Sequence, residues 1–413
     1  MARYLHYYEN QEDFESEYKG VNYEEPWTSY VKGMNSVVTY DREGYDELKK
    51  IPLTFEILEN GFIYVYYDGE TEDYIRQIGW SINGGQRHYD TADGSYAIEI
   101  EVQEGDEVQF FGDCDWMSYM DGSSYEYYTY FGSDCNFKVK GNIMSLFNED
   151  EFENMTEFPD PEVRCVLSHL FQSCDNLVDA YDLVLPVITL TDRCYSYMFY
   201  DSGIGRGPDL PTNSVQGIYS CLSMFYGCHA LTKAPSLPSK ILNIGCYSSM
   251  FMHCSSLKTT SKLPASVLES GCYEYMFANC TSLVTTPELP AKTISANCYH
   301  AMFSGCTSLT VSPELPATVL GSGCYMRMFA KCTKLSTAPE LNANIVESSS
   351  YDEMFSGCTS LSYIKCLATY VYSNGLRNWV KGVASSGTFV KRSSMSFDDG
   401  DSGIPNNWTV INV

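Results

Sequence analysis

The sequence predicts a mainly β protein: an N-terminal arm and an antiparallel β-sandwich, followed by a repeat solenoid of about eight 26-residue coils with a C-terminal cap. Three observations lead to this prediction: a unit that recurs at constant spacing, period-two alternation before it, and a sharp change in charge between the two parts. The boundaries are predicted at 1–50 for the arm, 51–148 for the acidic sandwich, 149–366 for the solenoid and 367–413 for the cap.

Negative charge is concentrated in the first part of the 413-residue chain. Residues 1–162 hold 36 Asp and Glu against 10 Lys and Arg, and residues 163–413 hold 17 against 16, so the first part carries −26 of the net −27. Such a body is a poor partner for nucleic acid or an anionic membrane. The negative charge could serve solubility alone or form a surface that binds cations, and the two explanations account for it equally well. No apolar run is long enough for membrane insertion.

The arm, residues 1–50, is rich in Tyr and Glu and shows little periodicity. It has too many aromatic residues for an ordinary disordered tail, so we expect it to be ordered by contact with the next domain, another subunit or a larger particle. Residues 2–20 lack the basic start and apolar core of a secretory signal. We therefore expect synthesis in a cytosol, where the 17 cysteines remain thiols.

The sandwich is predicted from the alternating segments LTFEIL, FIYVYY, AIEIEV and EVQFFG. Turn signals stand at 83–85 (NGG) and 104–107 (EGDE), and Phe137 and Val139 belong to a closing strand. Residues 149–162 are predicted to link the sandwich to the solenoid and to cap its first coil.

A Tyr-rich segment late in the sandwich is predicted to form an exposed loop that contacts a ligand. Its aromatic faces beside carboxylates suit sugar rings, and exposed tyrosines suit protein contacts equally well. The candidate ligand-contact residues are Trp116, Tyr119, Tyr125, Tyr127, Tyr128 and Tyr130.

The repeat is a Met-Phe-x-x-Cys-x-x-Leu unit that occurs eight times, from Leu170-Phe171 to Met354-Phe355. The first step is 28 residues and the other six are 26. Constant spacing is expected when each unit is one solenoid coil, because equivalent residues must stack about 5 Å apart. The predicted repeat core comprises Phe225, Cys228, Phe251, Cys254, Phe277, Cys280, Phe303, Cys306, Phe329, Cys332, Phe355 and Cys358.

Two cysteine columns run through the units, one three residues after Phe and one four residues before Met. Ser202 replaces cysteine in the first column, and Ser220 and Ser350 replace it in the second. Because serine preserves the size of the side chain, these replacements indicate that the cysteine columns serve packing and not catalysis or metal binding. We expect a single helical turn in the Cys-Tyr-x-x-Met-Phe segment, with Met and Phe pointing inward, and short strands interrupted at the Pro-Glu-Leu-Pro segments.

These units resemble the treponemal-type, BspA-like leucine-rich repeats, whose core is Phe-x-x-Cys-x-x-Leu followed by a Leu-Pro turn. The resemblance covers about residues 163–366, with Met-Phe where Ala-Phe is more usual. The start, YLHYYENQEDFESEY, resembles the starts of proteins encoded by Bacteroides-infecting, crAss-like phages. The tail, GVASSGTFVKRSSMSF, resembles the ends of repeat proteins encoded by gut Bacteroides and their phages. The resemblance implies recognition at a surface and no catalysis.

The C-terminal cap is expected to cover the last coil with Leu376, Trp379, Val380, Val383 and Phe389, and a strand at Trp408 closes it. Within the cap, the acidic run Asp398, Asp399 and Asp401 forms either a weak calcium site or a solvated turn.

Neither the histidines nor the cysteines form a pattern typical of catalysis or metal binding. His6, His88, His169, His229, His253 and His300 have no ligand spacing, and no CxxC pair suggests zinc. No nucleophile elbow, P-loop or dinucleotide fingerprint occurs, and no carboxylate pair stands out for glycoside hydrolysis.

The sequence therefore favours a non-enzymatic virion protein, a fibre, decoration or tail-associated subunit on the virion surface. Its arm would attach to other virion proteins, and its repeats would face outward to bind host-surface glycan or protein. A homo-oligomer is expected, because weak repeat surfaces gain from multivalency. The alternatives are a bacterial cell-surface adhesin and, more distantly, a glycan-processing enzyme.

Overall fold

The computed structural model describes residues 44–68, 78–90, 97–115, 117–120, 126–211 and 217–413. Of the predicted arm, residues 1–43 lie outside the described residues. Its last residues carry a short helix, α1 (Tyr45–Leu48), whose Tyr45 is buried. Among the described residues, no helix has the length and apolarity that a membrane crossing needs.

Two sheets form the first body of the molecule. The strands are β1 (Leu53–Ile57), β2 (Gly61–Asp68), β3 (Ile78–Ile82), β4 (His88–Asp90), β5 (Ala97–Val102), β6 (Glu107–Gly112), β7 (Ser118–Met120), β8 (Glu126–Ser133), β9 (Phe137–Asn142) and β10 (Leu177–Val184). One sheet has the order β10-β9-β1-β6-β3-β4 and the other β5-β2-β8-β7. All pairs are antiparallel except β9 with β10. The four predicted alternating segments are β1, β2, β5 and β6, which confirms antiparallel sheets in this region.

The NGG turn joins β3 to β4. Asn83 and Gly84 both have positive φ, 54° and 66°, and the Gly85 N–H donates to the Ile82 carbonyl at 2.9 Å. Two consecutive positive φ values define the type I′ turn, whose twist matches that of the flanking strands.

Aromatic side chains fill the space between the two sheets. Phe55 and Phe110 from one sheet lie 5.0 and 4.8 Å from Phe131 of the other, measured between ring centroids. Phe171, from the first repeat unit, lies 5.6 Å from Phe131. The Phe131 N–H donates to the Leu170 carbonyl at 2.8 Å. The first coil therefore completes the core of the sandwich, and one hydrophobic core runs from Leu53 to Trp408.

The connection between the bodies, residues 149–162, holds a 3₁₀ helix at Phe152–Asn154 that follows another at Ile143–Leu146. Phe152 and Phe158 are buried, and Phe158 lies 6.2 Å from the Tyr195 ring of the next coil. Apolar side chains thus hold this segment over the start of the solenoid.

Successive turns, and not a helical turn, form the Cys-Tyr-x-x-Met-Phe segment of each coil, so that expectation was wrong. The N–H groups of Tyr247, Ser249 and Phe251 donate to the next coil at 2.7–3.0 Å, whereas that of Met250 donates three residues back. Ser249 and His253, four residues apart, have positive φ. Carbonyls of the neighbouring coil therefore replace the local bonds of a helix. Met250 and Phe251 point inward as expected and are fully buried.

Short parallel strands form the other wall of the solenoid. They are β11 (Ile241–Leu242), β12 (Val267–Leu268), β13 (Thr293–Ile294), β14 (Val319–Leu320), β15 (Ile345–Val346) and β17 (Tyr370–Val371). The first five, β11 to β15, each follow the proline-containing turn of their coil, whereas no proline precedes β17 in its coil. Because proline donates no backbone hydrogen bond, the ladder is limited to two residues per coil here, as predicted.

The repeat phenylalanines form a ladder of eight stacked rings from Phe171 to Phe355. Neighbouring centroids lie 5.2–5.8 Å apart with interplanar angles of 3–10°. All 17 cysteines are buried. In the column after Phe, each thiol from Cys228 to Cys358 donates to a Phe carbonyl of the preceding coil at 2.9–3.1 Å. A serine hydroxyl makes the same kind of bond, since Ser350 donates to the Gly321 carbonyl at 3.1 Å.

The cap closes the solenoid with a three-stranded parallel sheet: β16 (Tyr363–Cys366), β18 (Thr388–Lys391) and β19 (Thr409–Asn412). Trp379, fully buried, lies 6.1 Å from Phe355 and 6.0 Å from Phe389, and its Nε1 donates to the Gly403 carbonyl at 2.8 Å. An indole thus ends the phenylalanine ladder and its polar atom remains satisfied.

Candidate functional site

The Tyr-rich segment of the sandwich is a strand, β8, and not the loop that we expected. Alternation therefore separates its residues: Tyr128 and Tyr130 are half-buried, whereas Phe131 is in the core. Tyr119 of β7 and Tyr127 of β8 are register partners. Trp116 and Tyr125 lie outside the described residues.

Tyr128 and Tyr130 belong to a half-buried row of ten rings, which we call the aromatic strip. Nine consecutive ring contacts of 4.5–6.2 Å connect its members. In order, the strip comprises Phe62, Tyr64, Tyr66, Tyr130, Tyr128, His169, Tyr197, Tyr200, Tyr226 and His253. It starts on the sandwich and continues over the first coils of the solenoid.

The sandwich half of the strip follows from period-two alternation in β2. Ile63 and Val65 are fully buried, so Phe62, Tyr64 and Tyr66 lie on the opposite face of the strand. Tyr66 pairs across the sheet with Tyr130, and their rings stack at 4.8 Å.

A glycine leaves room for this stacked pair. A Cβ at Gly132 would lie 2.8 Å from Cε2 of Tyr66. The absence of a side chain at this position therefore allows the Tyr66 ring to lie close to β8.

The solenoid half of the strip depends on the coil repeat. His169 and Tyr197 occupy equivalent positions in successive coils, both with positive φ, and their rings stack at 4.9 Å and 11°. Tyr200 and Tyr226, 26 residues apart, stack at 4.8 Å and 10°. The fixed coil register, which also builds the core ladder, thus aligns surface rings when adjacent units carry aromatic residues.

His169 connects the two halves. Its ring stacks on Tyr128 of β8 at 4.5 Å and on Tyr197 of the next coil at 4.9 Å, and its Nδ1 lies 2.6 Å from Oε1 of Gln172. The strip is therefore continuous across the junction of sandwich and solenoid.

Stacking within the strip determines which of its atoms remain accessible to a ligand. Rings that face each other at 4.5–4.9 Å cover each other's faces, so they present edges and hydroxyl groups. The wider Phe62–Tyr64 contact, 6.2 Å, lies at one end of the strip. The strip is therefore suited to hydrogen bonding and edge contacts along its length, more than to the ring-face stacking that we expected.

Carboxylates border the strip. The Asp134 carboxylate accepts the Phe62 N–H at 2.6 Å and the Tyr64 hydroxyl at 3.4 Å. Desolvation raises the pKa of Tyr64 and of Tyr66, and the charges of Asp134 and Glu99 raise both further. Desolvation also raises the pKa of Tyr226, with smaller contributions from Tyr200 and Asp201. These phenols stay neutral at physiological pH and can donate hydrogen bonds.

The other polar groups that sequence analysis singled out and that the structure describes are five histidines, the cysteines and the acidic run of the cap. Among the described residues, no group of three or more His, Cys, Asp or Glu is placed to hold a metal ion. Asp398, Asp399 and Asp401 are exposed in a turn that is closed by a 2.8 Å bond from the Ile404 N–H to the Asp398 carbonyl. The run therefore forms a solvent-exposed turn.

The repeat cysteines are buried too deeply for nucleophilic chemistry. Burial raises the pKa of the Cys228 and Cys306 thiols to about 12. A nucleophilic cysteine needs the opposite, a lowered pKa and solvent access. The column therefore serves packing and hydrogen bonding between coils.

Sequence reasoning missed eight members of the strip: Phe62, Tyr64, Tyr66, His169, Tyr197, Tyr200, Tyr226 and His253. Two signals were present in the sequence. Alternation in FIYVYY puts its first, third and fifth residues on one face, and Tyr200 and Tyr226 are one repeat apart. What the sequence does not specify is how the coils are rotated relative to the sheet.

Comparison with known proteins finds one family. The model described as BspA type leucine rich repeat region matches in six copies, over residues 144–284, 222–338 and 271–375. Together these spans cover residues 144–375, more than half of the chain. No curated protein and no solved structure matches the chain.

Proposed function

Because the chain belongs to the BspA-type leucine-rich-repeat family, we propose that it is a non-enzymatic adhesion protein whose aromatic strip is the contact surface. Repeats of this family indicate a surface or adhesion-type repeat protein. The single observation that carries the proposal is the strip itself, ten rings in continuous contact across both bodies of the molecule. Tyrosine-rich surfaces are typical of recognition because a tyrosine loses little conformational entropy on binding.

For its ligand we propose an uncharged, hydroxyl-rich glycan on a host or mucosal surface. Neutral phenols donate and accept hydrogen bonds, and the carboxylates of Asp134, Glu99 and Asp201 accept hydrogen bonds from sugar hydroxyls. The same carboxylates repel sialylated or sulfated glycans. The charge of the strip border thus favours a neutral glycan over an acidic one.

Binding of the full chain to a panel of neutral, sialylated and sulfated glycans and of host surface proteins tests this proposal. The double variant Tyr66→Ala/Tyr226→Ala should bind neutral glycans at least about tenfold more weakly, a loss of about 1.4 kcal/mol. The matched control is Tyr89→Ala/Tyr363→Ala, which removes exposed tyrosines outside the strip. Equal binding by both variants would reject the strip as the contact surface, and binding to proteins alone would reject the glycan.

We further propose that the protein is displayed on a phage virion, attached to other virion proteins through the N-terminal arm. The support is the resemblance of the start and the tail of the sequence to those of phage-encoded proteins, together with the order arm, sandwich and repeats. Mass spectrometry of purified particles should detect the chain. Its absence from particles, together with its presence on washed bacterial cells, would instead favour a bacterial adhesin.

A further inference from the structure

A second surface of the solenoid is apolar, and it does not include any residue of the aromatic strip. It is formed by the first residue of each two-residue strand, whereas the second residue of each of β11 to β15 is buried in the core. We call it the apolar column. It comprises Ile241, Val267, Thr293, Val319, Ile345 and Tyr370, of which Thr293 contributes a methyl group beside its hydroxyl.

The column is most exposed toward the C-terminal end. Val319, Ile345 and Tyr370 are 58 %, 47 % and 54 % exposed, and the neighbouring Tyr372 is 44 % exposed. Single exposed apolar residues are common on protein surfaces, but successive coils here place theirs side by side. A contiguous apolar patch on a surface marks an interaction site.

From this column we infer that two copies of the chain pair through it. A two-fold interface requires a patch that complements itself. A column with one rung per coil meets this requirement, because each rung of one copy can face a rung of the other. Ile345↔Tyr370 and Thr293↔Val319 are register partners, so the rungs follow the strand ladder.

The charge distribution favours a second copy as the occupant, in antiparallel orientation. Residues 163–413 carry 17 acidic and 16 basic residues, so two solenoids approach each other without net repulsion. Residues 1–162 carry −26, so two sandwiches repel each other. An antiparallel pair centred on Ile345, the middle of the three most exposed rungs, buries the exposed ends of the columns against each other and keeps the acidic sandwiches far apart.

Sedimentation velocity of the full chain over a range of concentrations tests the inference. We expect the wild-type chain to form a dimer. The variant Val319→Lys/Ile345→Lys should raise the dissociation constant at least tenfold. The matched control, Val284→Lys, changes a residue that is 45 % exposed outside the column and should leave the dimer intact. A monomeric wild-type chain, or equal dissociation constants for all three proteins, would overturn the inference.

A cross-link keeps the test decisive if the lysine variant fails to fold. All 17 native cysteines are buried, so a new surface cysteine is the only one accessible. Ile345→Cys should form a disulfide-linked dimer under mild oxidation, and Val284→Cys should not. Cross-linking that is equal at both positions, or absent at both, would contradict pairing through the column.

Discussion

Raising the pH from 8 to 10 should destabilise the folded chain by several kcal/mol. Burial raises the pKa of five repeat-region thiols from 9.0 to about 12: Cys174, Cys221, Cys228, Cys306 and Cys358. Below pH 9 these thiols are protonated in both the folded and the unfolded chain. Between pH 9 and 12 they ionise only when the chain unfolds, so proton release then favours unfolding.

The magnitude follows from the pKa values. At pH 10, one unit above the unfolded pKa, each thiol lowers the free energy of unfolding by about 1.4 kcal/mol. Five thiols together remove about 7 kcal/mol, if the sites act independently. This is comparable to the whole stability of an ordinary domain, about 5–15 kcal/mol. The solenoid should therefore unfold in the alkaline range well before pH 12.

Urea unfolding followed by circular dichroism at pH 8 and pH 10 measures the loss. The control is Cys306→Ser/Cys358→Ser, in the cysteine column where Ser202 already occurs. Serine does not ionise, so the variant should lose about 2.7 kcal/mol less than the wild type between the two pH values. If both proteins lost the same free energy of unfolding between pH 8 and pH 10, burial of the thiols would not be the cause of the alkaline destabilisation.

Three substitutions test other parts of the structure. Phe277→Ala removes a ring that stacks at 5.5 and 5.7 Å on its neighbours. It should lower the free energy of unfolding, measured in urea, by about 3–5 kcal/mol, whereas Val284→Ala at an exposed position should lower it by less than about 0.5 kcal/mol. Tyr299→Phe removes a buried hydroxyl that has no hydrogen-bond partner among the described residues, so it should raise stability by up to about 1 kcal/mol, and a destabilised variant would contradict this. Gly132→Ala should displace the Tyr66 ring and weaken glycan binding while the circular dichroism spectrum stays unchanged, and unaltered binding would show that this ring is not needed.

Constant repeat length made the solenoid predictable, because inward residues of one coil must meet the same residues of the next. Spacing identified Phe277 and Cys280 as core, and both are fully buried. The backbone conformation around them was harder to predict. Tyr275 and Asn279 have positive φ, which asparagine tolerates but which is unusual for tyrosine. Bonds from alternate residues to the neighbouring coil stabilise this conformation, and single-sequence propensities do not contain that information.

The aromatic strip was only partly predictable for a similar reason. Alternation specifies which residues of β2 share a face, and the repeat specifies that Tyr200 and Tyr226 align. The contact that unites these groups is His169 on Tyr128, and it depends on how the first coil packs on β8. That packing is settled by tertiary contacts such as the Phe131–Phe171 stack, which no local pattern encodes.

The central claim, that the aromatic strip is the contact surface, is tested most directly by hydroxyl-radical footprinting of the full chain with and without a neutral glycan. The strip predicts protection of peptides that contain Tyr64, Tyr130, Tyr200 and Tyr226. Peptides that contain exposed Tyr363 and Tyr372 should show no protection. The opposite pattern, in which the cap tyrosines are protected and the strip stays accessible, would contradict the claim.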